Sequence, residues 1–73
     1  MKKSVHELPK NIIKAEMSRK GIKVKEMVQL LKPYGEELTE PSFNNKMTRK
    51  NFSATFFIKC LLALGVKEVR ISD

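Results

Sequence analysis

The stretch Thr39-Glu40-Pro41-Ser42-Phe43-Asn44-Asn45-Lys46-Met47-Thr48-Arg49-Lys50 decides how this chain folds. Thr39 is a good N-cap, and Pro41 falls in a first turn, where its missing N–H is tolerated. A helix is therefore predicted from about Glu40. Phe43 and Met47 stand four residues apart and so share one face, with little else apolar between or beside them. The remaining positions are rich in Ser, Asn and Thr, which compete with the helix for backbone hydrogen bonds and lower its propensity. Something other than the helix's own stability selects these residues. The pattern is that of a helix docked by a narrow apolar edge, with a wet edge left over for recognition.

Downstream lies the segment with the clearest punctuation. Ser53 is placed as an N-cap, Phe52 before it and Phe57 four positions into the helix have the spacing of a hydrophobic staple, and Phe56, Phe57, Cys60, Leu61 and Leu64 give a broad apolar face. This is the predicted core helix. Gly65 closes it, with Val66 placed to touch Leu61. In the tail beyond, Val69 and Ile71 lie two apart, as in a short strand.

Upstream, two shorter helices are predicted. One runs from about Lys23 to Lys32, with Met27, Val28, Leu30 and Leu31 apolar and Pro33 as its stop. The other runs from Pro9, well suited to the first helical position, to Lys20; Ile12, Ile13 and Met17 line one face, and Lys10, Lys14, Glu16 and Arg19 cover the other. Gly21 can turn left-handed at its end, bringing Ile22 onto Met17 as in a Schellman cap. Ser4 and Glu7 have capping-box spacing, but a helix begun there would carry Pro9 inside it, so the box is read as a coincidence.

The 73 residues make one domain, 1–73, with residues 1–8 expected to be flexible and 66–73 an extended tail or strand. A chain this short hides only about 60% of its unfolded surface, so it needs efficient packing or a partner chain. A homodimer is expected, through the Val69–Ile71 tail or exposed parts of the fourth helix. Lys and Arg outnumber Asp and Glu by 15 to 8, a formal charge of +7 that favours polyanions. Cys60 is the only cysteine, which excludes an intrachain disulfide and fits a reducing cytoplasm. The longest unbroken apolar run, Leu61 to Leu64, falls far short of a membrane span.

No catalytic constellation is visible. His6 is the single histidine, no cysteine or carboxylate cluster near it has ligand spacing, and Gly21, Gly35 and Gly65 stand singly, outside any phosphate loop. An enzyme, a metal, a cofactor and a small-molecule substrate are all unsupported, and Cys60 is read as a small core hydrophobe. The third helix carries the chemistry instead. At about 100° per residue Asn45 points away from the Phe43–Met47 edge, flanked by Thr48 and Arg49, with Ser42 and Asn44 at the margins. Asn pairs bidentately with adenine and Arg with guanine in the major groove. Lys23 and Lys25 open the second helix, where charge and free N–H groups suit a phosphate; Lys46 and Lys50 are candidates for phosphates beside the groove.

Taken together, Ser42-Phe43-Asn44-Asn45-Lys46-Met47, Arg49-Lys50-Asn51, and the helix opened by Ser53 and ending Leu61-Leu62-Ala63-Leu64-Gly65-Val66 resemble the lambda-repressor-like, Cro/repressor-type (XRE-like) helix-turn-helix domains. The likeness runs from Ile12 to Val66 and is strongest to a small group of bacterial stand-alone domains of unassigned function. It implies a compact all-α, four-helix fold and sequence-specific binding of double-stranded DNA by a small transcriptional regulator. By the same likeness Ser42, Asn44, Asn45, Thr48 and Arg49 face DNA, Phe43 and Met47 dock the recognition helix, and Lys23 and Lys25 lie near the backbone. The segment from Pro33 to Leu38 is longer than the usual turn, the second helix lacks the small residue and, in its first turn, the glutamine that such domains often carry, and a fifth helix is missing. Rival readings are a protein-interaction module, antitoxin-like or an assembly adaptor, gripping an acidic partner, and a nonspecific nucleic-acid coater.

Overall fold

A computed structural model describes residues 7–49 and 52–69. They form an all-α fold of four helices, α1 Leu8–Lys20, α2 Val24–Leu31, α3 Glu40–Arg49 and α4 Ala54–Ala63, with a 3-10 turn at Lys32–Tyr34. No strand occurs among the described residues, and Val66–Val69 carry no regular structure. Ser4, His6, Lys50 and Ile71 lie outside the described residues, and with them the Val69–Ile71 pairing and much of the expected flexible start.

Helix α2 sits at the centre, packed on both α3 and α4, while α1 packs on α4. One cluster fills the space between them: Ile13 and Met17 from α1, Met27, Val28 and Leu31 from α2, Phe43 and Met47 from α3, and Phe56, Cys60 and Leu64 from the α4 region. No polar or charged side chain is buried with them among the described residues. Three of the ten are methionines, whose unbranched chains fill irregular gaps between short helices.

The local signals act as the residues dictate. Ser53 Oγ accepts the Phe56 N–H at 3.0 Å, and Thr39 Oγ1 accepts the Ser42 N–H at 3.2 Å while donating to Ser42 Oγ at 3.0 Å. Gly21 and Gly65 turn left-handed at φ 68° and 73°. Beyond them the Ile22 N–H donates to the Met17 carbonyl at 2.8 Å and the Val66 N–H to that of Leu61 at 2.9 Å, the long-range bond of a Schellman cap.

Three details differ from the sequence expectation. The second helix ends at Leu31, ahead of Pro33 as expected, but the chain then tightens into the 3-10 turn, in which proline needs no N–H, and Gly35 at φ 86° ends the run with the Glu36 N–H donating to the Leu31 carbonyl at 3.3 Å. The aromatic pair at the start of α4 is Phe52–Phe56, edge to face with centroids 5.4 Å apart, whereas the spacing pointed to Phe52–Phe57. Glu16, expected on the outer face of α1, has a side chain only 17% exposed and accepts Arg19 at 2.6 Å.

Candidate nucleic-acid interface

Helix α3 shows which force won its conformational contest. Four residues of Ser, Asn and Thr type cost roughly 0.5 kcal/mol each against alanine, whereas burying a Phe or Met side chain contributes about 2–3 kcal/mol. Phe43 and Met47 are 1% and 2% exposed, so docking outweighs poor propensity. The helix is held by its partners, leaving the rest of its surface free to be chosen for other ends.

Ser42, Asn44, Asn45, Thr48 and Arg49 are all exposed. The fold brings them together on one short helix, but their surroundings differ. Asn45, Thr48 and Arg49 carry no side-chain hydrogen bond or ion pair among the described residues. Ser42 is engaged with Thr39 in the N-terminal cap, so its hydroxyl oxygen already accepts one hydrogen bond. Asn44 lines the wall of a cleft that also takes in Lys14, Ser18 and Lys23.

The basic residues divide likewise. Lys23 occupies the N-cap position of α2 in extended conformation, with no side-chain cap on the first-turn N–H groups. Those groups and the positive end of the helix dipole face the same way as an anion site requires. Lys23 and Lys25, both exposed, border an open groove of about 400 Å³ with Gly21, Glu26 and Gln29. Lys46 behaves otherwise: half-buried, it holds its ammonium 4.9 Å from the centroid of Phe56, a cation–π contact that fastens α3 to α4. That contact gives Lys46, a candidate phosphate contact by sequence, a part in docking α3.

Sequence reasoning passed over the residues that brace the connection leading into α3. Lys59 Nζ donates to Glu36 Oε2 at 3.0 Å, tying α4 to the α2–α3 connection. Side-chain exposures of 28% and 23% make this a partly desolvated pair, stronger than a surface one. Leu38 packs against the core from the same connection. The long turn is thereby an ordered spacer; no sequence signal links Glu36 and Lys59, which are distant in the chain.

Cys60 is fully buried in the core, and burial first, then the Glu36 charge, pushes its thiol up to about 12, with Lys46 opposing. Such a thiol is inert at neutral pH. Among the described residues no group of His, Cys, Asp and Glu is arranged to hold a metal ion, and no helix is long and apolar enough to cross a membrane.

No curated protein and no solved structure matches the chain. Residues 6–69 match the family model described as Domain of unknown function (DUF6471). Because that match spans all four helices and both sides of the α3 surface, the chain belongs to the DUF6471 family.

Proposed function

We propose that this domain binds double-stranded DNA as a helix-turn-helix module, α3 entering the major groove and Lys23 and Lys25 meeting the phosphate backbone beside it. The observation that carries this reading is the split of α3 into a buried Phe43–Met47 edge and an opposite, exposed edge bearing Asn45, Thr48 and Arg49. Short amide, hydroxyl and guanidinium groups free of internal partners are what base edges in the major groove require. The net charge of +7 supports the electrostatic share of binding. Lys50 belongs to the same proposal as a phosphate contact. A small regulator working in a reducing cytoplasm fits the single cysteine.

A gel shift against fragments of the region upstream of its own gene tests the reading directly. One fragment retained in preference to others is the expected result; equal retention of all fragments would make the protein a nonspecific coater, and no retention would remove DNA from its partners.

A homodimer is the second part of the proposal, and one observation favours α4 as its surface. Ile58 and Leu62, one turn apart, are 50% and 52% exposed on the face of α4 turned away from the core. The same pair would serve the alternative reading, an adaptor gripping another protein. Light scattering at high micromolar concentration separates the two: a dimeric mass lost in Leu62→Lys supports self-association, and a monomeric mass removes it.

A further inference from the structure

The cleft that Asn44 borders has a composition DNA does not use. Its apolar lining is Met17, Ile22, Val24 and Phe43, and it is an open depression of about 390 Å³, large enough for a small molecule. Met17 and Phe43 are core residues, but Ile22 and Val24 are only half-buried, so apolar surface stays uncovered there. Two lysines, Lys14 from α1 and Lys23 from the start of α2, stand on the rim with no acidic residue lining the cleft. Among the described residues neither is in a salt bridge. Ser18 and Asn44 add hydroxyl and amide groups at the same rim.

We infer that this cleft takes a small amphipathic carboxylate, its alkyl or aryl tail on Ile22 and Val24 and its head between Lys14 and Lys23, and that its occupancy opposes DNA binding. Charge selects the occupant: an apolar floor alone would take any greasy group, and a basic rim alone would take any anion, but the two together select a molecule with both ends. The link to DNA rests on the proposed function, because Lys23 and Asn44 belong to both surfaces. A carboxylate on Lys23 neutralises a phosphate contact and fills the space beside Asn44.

The test uses the whole 15N-labelled chain and three probes: sodium octanoate, sodium acetate, which has the head without the tail, and 1-octanol, which has the tail without the charge. Expected is a saturable shift of the Met17–Val24 and Phe43–Asn44 amide resonances with octanoate, and weaker binding of the other two. Lys14→Gln, which stays folded by the same spectra, should weaken octanoate about three- to fivefold and leave DNA affinity unchanged. No saturation by octanoate, equal shifts with acetate or octanol, or indifference to Lys14→Gln would overturn the site. So would shifts of the same amides on concentrating the protein alone, together with a rise in mass, since a second copy would then fill the cleft. The two readings fail separately: octanoate binding without any DNA binding overturns the proposed function and keeps the cleft's ligand, whereas DNA binding undisturbed by saturating octanoate overturns the competition.

Discussion

Lys59 on α4 reaches the carboxylate of Glu36, 23 residues earlier, at 3.0 Å, and so ties α4 to the connection between α2 and α3. The pair is partly desolvated, so losing one partner leaves a charge in a poorer environment than water. Glu36→Gln and Lys59→Met should each cost about 1 kcal/mol, lowering Tm by about 5 °C in a domain of this size. A double-mutant cycle by urea unfolding should show the two losses to be less than additive; full additivity would mean the contact carries no energy.

The three left-handed glycines give a cleaner test of backbone strain. An added Cβ at Gly21 or Gly65 meets no atom within 4 Å, so the only cost of substitution is the positive φ itself. Gly21→Ala and Gly65→Ala should each destabilise by about 1 kcal/mol, and Gly21→Asn by less, because asparagine tolerates this conformation better. Thermal melts of the three variants check the order; an unchanged Tm in both alanine variants would show that the helices end without the caps.

Cys60 predicts the alkaline limb of the stability profile. Its folded-state pKa, about 12, lies above the ordinary thiol value of 9.0, so the folded state keeps its proton where the unfolded chain has lost it. The contribution is fully present below pH 9.0 and is lost as pH rises from there towards about 12, with a slope of at most about 1.4 kcal/mol per pH unit. Denaturant midpoints measured across that window should fall in the wild type and fall less in Cys60→Ala, which has no thiol to titrate. Parallel curves would assign the loss to the lysines instead.

On DNA, the α3 edge and the α2 lysines should part company. Asn45→Ala and Arg49→Ala are each expected to cost roughly 1–3 kcal/mol on the preferred site and little elsewhere, whereas Lys25→Ala should weaken all DNA alike and reduce the salt slope by about one. Log affinity itself should fall by about 0.9 per phosphate contact for each log unit of salt. All three positions are exposed, so no variant should lose stability, and Asn45→Ala should gain about 0.5 kcal/mol from helix propensity. A uniform loss across sequences in every variant would mean that α3 reads charge and not bases.

Lys46 supplies the contrast. Through its stack on Phe56 it belongs to the docking of α3, so Lys46→Ala should lower stability by about 0.5–1 kcal/mol, an effect that neither Asn45→Ala nor Lys25→Ala shares. An unaltered denaturation curve, with affinity for DNA reduced, would return Lys46 to the phosphate contacts.

What the residue order determined alone is everything settled within a turn or two of helix. Ser53 and Thr39 as caps, Gly21 and Gly65 as terminators, and the docked Phe43–Met47 edge could be read directly, because each depends on partners three to five positions away. Only the tertiary structure decided the rest. It placed Lys46 on Phe56, drew Glu36 to Lys59, made the stretch after Leu31 an ordered 3-10 spacer, and set Asn44 across a cleft from Lys14. Those contacts join helices whose spacing in the chain carries no information about their distance in space; long charged side chains settle wherever packing leaves them a partner.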